Sequence, residues 1–253
     1  MNNFPNPPYH YGINVAGQTL DWMPSDTKES FDRMMQDPVH RAYFHELGWD
    51  KLGGITYSFN SHGFRSEEFD QTADNIVALG CSFTMGIGLP YKDIWPTRIG
   101  EALNLKVCNL AWGGSSSDRC FRLADYWVPH LRPKLVVLLN PPRGRMEVII
   151  NETTGQAEEI MPYDNHPDAF IKKWLSVDRN SRLNNQKNSL AIQALCNQLK
   201  IPFLSYEADK CMGSSREEVD YARDYLHAGP PGHRMFAESI LNEYNKKFRN
   251  SIS

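Results

Sequence analysis

The sequence predicts an α/β protein built as a three-layer α/β/α sandwich around a parallel sheet. From Asn75 onward, short apolar runs alternate with amphipathic stretches of about 10–18 residues, the texture of repeated βαβ units. The runs at 76–79, 107–110 and 135–139 are apolar at nearly every position rather than at alternate ones, as strands covered on both faces must be. The 253 residues, 41% of them hydrophobic, suffice to bury such a core.

Ahead of the sheet, Pro5, Pro7, Pro8 and Gly12 predict an extended arm over the first ~15 residues. Ser25-Asp26 is placed to cap a helix running to about Leu47 and broken at Pro38, since Phe31, Met34, Met35, Val39, Tyr43 and Leu47 recur at near-helical spacing. Residues 55–60 alternate like a short strand, and 60–65 read as a turn. The first sheet strand, 76–79, ends at Gly80, and residues 93–104 form a helix that tolerates Pro96 in its first turn. After the strand at 107–110, Ser117 is positioned to cap a helix carrying Phe121, Ala124, Val128 and Leu131. Residues 135–139 form the central strand.

Residues 140–181 hold Pro141, Pro142, Pro162 and Pro167 and only weak periodicity, so they read as a loop-like insertion covering one end of the sheet. A helix marked by Leu190, Ala194, Leu195 and Leu199, a strand at 203–206 and a final helix opened by Pro230-Pro231 complete the pattern. The chain thus divides into an N-terminal extension, 1–74, packed on the core, and a sheet domain, 75–253, with the insertion at about 141–181.

Composition removes several function classes. Lys and Arg number 27 against 30 Asp and Glu, so no strong field gathers nucleic acid or an anionic membrane. The longest strongly apolar run, 135–139, falls far short of the ~20 residues of a membrane span. The first residues have neither a basic nor an apolar leader region, which makes a cytoplasmic protein the expectation. Five cysteines, without a C-x-x-C pair, fit neither a disulfide framework nor a zinc site and are expected as reduced thiols near the core. The eight histidines have no ligand spacing, and neither a metal nor another cofactor is expected.

In parallel sheets ligands bind at the carboxyl ends of the strands. There Ser82, two residues past the first strand, is placed to present a hydroxyl at the sheet rim beside backbone N–H groups. His227 is the candidate base, and Asp224, three residues earlier, lies on the same side of one turn and is able to orient the imidazole. By spacing alone Ser82 equally suits a small turn residue, and Asp224 a cap.

Three blocks distinguish these readings. Gly80-Cys-Ser-Phe-Thr with Gly86-Ile-Gly88, then Asn109-Leu-Ala-Trp-Gly-Gly114, then Asp224-x-x-His227 followed by Gly232-His233, resemble in order three of the four sequence blocks of the SGNH or GDSL hydrolase family. The resemblance covers residues 75–248, and Asn60-Ser-His-Gly-Phe-Arg65 is similar to a stretch ahead of the nucleophile strand in some bacterial and phage members. It implies a flavodoxin-like α/β/α fold and a metal-free Ser-His-Asp esterase or lipase acting on acyl or acetyl esters, often of carbohydrates. Ser82 would be the nucleophile, His227 the base and Asp224 its orienter, with the N–H of Gly114 joining that of Ser82 at the oxyanion. The implied partner is a small-molecule or glycan ester; a virion-associated or phage-encoded origin stays open.

The chain departs from the family twice. Cys81 stands where the family has Asp before the nucleophile; as a buried neighbour of Ser82 it is expected to be inert. The block after the third strand reads Asn140-Pro-Pro-Arg-Gly-Arg145, placing Arg143 where an oxyanion Asn belongs and Asn140 at a different offset. Either residue replaces the missing donor, whose loss costs ~10²–10³ in rate, or Arg143 pairs with Glu147. Arg143 and Arg145 would also suit an anionic substrate. Two other functions remain open: a catalytically weakened binding or accessory module, and an acyltransferase using the same triad. Trp174, Tyr163 and Phe170 line an acyl or sugar site or simply pack the insertion. His233 reads as a helix-start packing residue. The G-x-S-x-G elbow fails because position 84 is Thr, and Gly86-Ile-Gly88 lacks the third glycine and lysine of a nucleotide loop.

Overall fold

The computed structural model describes residues 4–5, 7–51, 54–162, 166–208 and 220–249. Four parallel strands form the central sheet: β3 (Asn75–Leu79), β4 (Lys106–Asn109), β5 (Leu135–Asn140) and β8 (Phe203–Glu207), in the order β4-β3-β5-β8. All of β3 and β5 is buried, which is why their sequences run apolar without alternation. Val77, Leu79, Val136 and Leu138 point to one face, where α5 (Ser117–Leu131) and α7 (Asp178–Gln198) cover them. Ile76, Ala78, Leu135, Val137 and Leu139 point to the other, under α4 (Trp95–Leu103) and α8 (Pro230–Tyr244). Three α/β/α layers result, and each buried Leu, Ile or Val contributes roughly 1.5–3 kcal/mol. The chain leaves β3 for β4 on one side and returns past it to β5 on the other. That reversal opens a crevice at the carboxyl end of β3, where Ser82 follows.

The helix caps differ from expectation by function rather than by propensity. Thr27, not Ser25-Asp26, caps α1 (Lys28–Met34), its Oγ1 accepting from the Ser30 N–H at 3.2 Å. Ser25 and Asp26 are turned instead toward residues 223 and 224. The break at Pro38 is present: Asp37 caps α2 (Pro38–Glu46) with proline in its first turn. Ser116 rather than Ser117 caps α5. Within the expected arm, residues Tyr11–Val15 form a 3-10 turn, because His10 is anchored by donating to the Gly63 carbonyl at 2.8 Å and accepting from Arg119.

The stretch at 140–181 is not loop-like. It contains an antiparallel hairpin, β6 (Met146–Asn151) with β7 (Gln156–Ile160), and α6 (Ala169–Leu175). Charges along β7 hid the pairing, and Asn151 closes the turn by accepting from the N–H groups of Thr153 and Thr154. The hairpin lies along α5, where Arg122 grips Glu147 with two hydrogen bonds of 2.7 and 2.6 Å.

Residues ahead of the sheet build a third apolar cluster. Met23, Phe31, Phe44, Trp49, Tyr57 and Phe59 pack with Met85, Ile87, Leu89, Ile94, Ala111 and Ala222; β1 (Thr19–Leu20) and β2 (Tyr57–Ser58) pair within this region. Asn60 organises the 60–65 turn by accepting from the His62 and Phe64 N–H groups, and the turn delivers Arg65 into the interior. Burial pushes the guanidinium down to about 10, leaving it charged at neutral pH. It donates to the carbonyls of Thr56, Met85, Gly86 and Leu89 at 2.5–3.1 Å and so pins the loop that follows Ser82.

A lysine has no planar fork to span four carbonyls. Arg65→Lys is therefore expected to lower unfolding free energy by about 2–4 kcal/mol in denaturant titration. A loss below ~0.5 kcal/mol would contradict the role given to this side chain.

Candidate active site

Ser82 opens α3 (Ser82–Met85), a single turn reached from β3 through Gly80 and Cys81. The turn is tight because Gly80 has no side chain: a Cβ there would lie 2.1 Å from Thr84 Oγ1 and 3.0 Å from the Leu139 carbonyl. At this first helical position the Ser82 N–H has no intrahelical acceptor, and none is found for it among the described residues. From the end of β4, Asn109 donates to the Thr84 carbonyl at 3.0 Å, fixing α3 against the second strand.

The candidate acid and base come from one turn. Asp224 Oδ1 accepts from the N–H groups of Leu226 and His227, at 3.1 and 3.2 Å, while its Oδ2 lies 2.6 Å from His227 Nδ1. A carboxylate only accepts, so Nδ1 carries the proton and Nε2 of the neutral ring is the free acceptor. Nε2 lies 2.7 Å from Ser82 Oγ. Asp224 therefore caps its turn with one carboxylate oxygen and contacts the imidazole with the other. Burial pushes the Asp224 carboxyl up, but hydrogen bonds from His227, Ser25 and Leu226 outweigh it and hold the group below the usual carboxylate range. The Asp224 side chain is 0% exposed and that of His227 11%, so the carboxylate is shielded while the imidazole keeps an opening. The Phe83 ring stands edge-on to His227 at 4.9 Å.

Gly114, after β4, has φ +81°, and no protein acceptor is found for its N–H among the described residues. The hairpin buttresses this loop: Arg145 donates to the Ser115 carbonyl at 3.3 Å, the Met161 side chain lies beside Gly114, and Glu159 accepts from the Ser116 N–H at 3.0 Å.

Asn140 and Arg143 do not join this group by any hydrogen bond among the described residues. The Asn140 amide donates to Ser205 and Glu207 on β8, at 3.0 and 3.2 Å. Arg143 lines a cavity of about 360 Å³ with them and with Arg182. Glu147 is held by Arg122, so it is not the partner expected for Arg143. Cys81 is fully buried, as are Cys108, Cys120 and Cys196, all free thiols; Cys211 lies outside the described residues. His233 is also fully buried, accepts from the Trp95 N–H at 3.0 Å, and is pushed down to about 3 by burial, which suits packing and not proton transfer. Phe170 is exposed, Trp174 is half-buried, and Tyr163 lies outside the described residues.

Sequence reasoning missed Ser25, whose hydroxyl donates to Asp224 Oδ2 at 2.8 Å, and Asp26, which receives two hydrogen bonds from Arg223 at 2.8 and 2.7 Å. It also missed Glu159. The one available signal was Arg223 itself, a cation written directly beside the candidate acid.

Burial pushes the Glu159 carboxyl up to about 7 from an ordinary 4.5. Between these values the folded chain keeps a proton that the unfolded chain has lost. Stability from this group is therefore complete below about pH 4.5 and declines as pH rises to about 7. Glu159→Gln preserves the acceptor for Ser116 and removes the slope. The variant should gain ~2 kcal/mol on wild type between about pH 5 and 8 by denaturant midpoint, whereas a gap constant with pH would refute the assignment.

No protein-family model matches the chain, and no curated protein matches it in sequence. Among solved structures it is similar to a member of the lipolytic protein G-D-S-L family from Veillonella parvula, with 15% identity over 67% of this chain and 97% of that one, at a TM-score of 0.37. It is similar to a carbohydrate acetylesterase family member from Sinorhizobium meliloti, with 11% identity over 68% and 98% of the two chains, at a TM-score of 0.35. AlinE4, an SGNH-hydrolase family esterase, matches with 16% identity over 66% and 72%, at a TM-score of 0.35. Many of the solved structures that the chain resembles are esterases or lipolytic proteins, among them members of the SGNH and G-D-S-L families.

Proposed function

We propose that this chain is a serine hydrolase of the SGNH type that cleaves a carboxylic ester, an acyl or acetyl ester of a small molecule or glycan. The observation that carries the reading is the unbroken relay Asp224–His227–Ser82, with links of 2.6 and 2.7 Å in the polarity general-base catalysis requires.

In this reaction Ser82 Oγ attacks the ester carbonyl carbon as its proton passes to His227 Nε2. Asp224 stabilises the imidazolium without taking the proton. The carbonyl oxygen gains negative charge and is received by the N–H groups of Ser82 and Gly114, for which no other acceptor is found among the described residues. Collapse breaks the bond to the alkoxy oxygen, which leaves with the proton from His227, and an acyl-Ser82 remains. Water, deprotonated by the same imidazole, hydrolyses it. A serine on an unpaired turn would carry none of this chemistry, because its hydroxyl is a weak nucleophile without a base.

The test is turnover of p-nitrophenyl acetate, read with labelling by a fluorophosphonate probe and mass mapping of the adduct. Wild type is expected to hydrolyse the ester and to be labelled at Ser82. Ser82→Ala and His227→Gln should each lose ~10⁴-fold or more in kcat. Absence of turnover and of labelling across about pH 6–9, or activity retained within ~10-fold in Ser82→Ala, would refute the proposal.

A further inference from the structure

We propose that Ser25 is a positioning residue of the active site, contributed by the segment ahead of the sheet and acting through Asp224. The inference rests on the reading of Asp224, His227 and Ser82 as a catalytic relay.

The Ser25 hydroxyl donates at 2.8 Å to Asp224 Oδ2, the same oxygen that faces His227 Nδ1. It is the one side-chain hydroxyl on that carboxylate among the described residues, and it comes from 199 positions away. The backbone at Ser25 makes the choice of serine informative. Residues 23–26 form a tight turn, closed by the Met23 N–H donating to the Asp26 carbonyl, with Pro24 and Ser25 at its corner. Ser25 has φ +73°, a left-handed conformation that glycine adopts freely and a side chain disfavours. A turn selected for its backbone alone would carry glycine here. Serine is strained at this position and supplies a hydroxyl that reaches the acid.

The neighbouring residue fixes the aim. Asp26 takes two hydrogen bonds from Arg223, itself adjacent to Asp224, and a third from the Tyr57 hydroxyl; both members of the ion pair are almost fully buried. Two consecutive residues of the turn thus grip two consecutive residues of the acid–base loop. Tyr57 also accepts from the Gly88 N–H at 2.8 Å, and the Arg223 N–H donates to the Gly88 carbonyl at 2.9 Å, so the loop after Ser82 is tied into the same junction.

Among the described residues the charged and titratable groups around Asp224 are His227 on its own turn, Arg223 paired with Asp26, Tyr57 and Arg65 next to that pair, and His233, which interacts with His227. Removing the hydroxyl leaves these in place and takes one donor from the carboxylate. Its uncompensated charge then holds the proton of the Asp224–His227 pair more tightly, and the base is freed only at higher pH.

Two variants separate this role from a structural one. Ser25→Gly removes the hydroxyl and relieves the backbone; Ser25→Ala removes it and keeps the strain. Both are expected to lower kcat about three- to tenfold with KM unchanged and to move the acid limb of kcat/KM to higher pH. Ser25→Gly is expected to melt at or above the wild-type temperature. The strongly downfield Nδ1–H proton resonance of His227, assigned by its loss in His227→Gln, should shift in both. Wild-type turnover with an acid limb and resonance unchanged in both variants would overturn the role of Ser25 and leave the hydrolase reading standing. Should wild type turn over no ester, that reading fails, and the resonance alone decides: its shift in both variants supports the coupling, and its constancy overturns it.

Discussion

Asp26 is a carboxylate withdrawn from water, and the architecture of the candidate active site hangs on how it is compensated. Burying an ion pair costs several kcal/mol per ion unless geometry and further hydrogen bonds repay it. Here Arg223 donates twice and Tyr57 once, and the Arg223 guanidinium also lies over the Trp22 ring at 4.4 Å. Such a pair tolerates little displacement. It fixes the turn at 23–26 against the loop at 221–228, and that loop holds Asp224 and His227 at a set distance from Ser82.

This constraint explains why the residues ahead of the sheet are so rich in aromatic and apolar side chains. They line the third apolar cluster together with Met85, Ile87 and Leu89 from the loop after the serine. Arg65 contributes the polar counterpart, satisfying carbonyls that a free loop would offer to solvent. The serine side of the relay and the His–Asp side are therefore both braced by the same early part of the chain.

The layers, the strand positions and the closeness of Asp224 and His227 were legible because their signals are local. Strands buried on both faces are written as unbroken apolar runs, and Asp224-x-x-His227 closes within one turn. Ser25 was legible only as a cap, since its real partner is far away in sequence, and Thr27 took the capping role. The β6–β7 hairpin was hidden because one side of it faces solvent and carries charge, so its pairing depends on packing along α5. Asn140 was ambiguous by offset; β8 decides its partners, and no pattern near residue 140 names Ser205 or Glu207.

The Gly114 loop connects these parts to the chemistry. Its N–H and that of Ser82 have no protein acceptor among the described residues and are the donors the proposed reaction assigns to the oxyanion, and the hairpin holds the loop from behind through Arg145 and Glu159. The most direct measurement is a crystal structure of the protein inactivated by a dialkyl fluorophosphate. Phosphorus is expected on Ser82 Oγ, with the phosphoryl oxygen within about 3.2 Å of the N–H groups of Ser82 and Gly114. Phosphorus on another residue, or a phosphoryl oxygen directed away from both N–H groups, would contradict it.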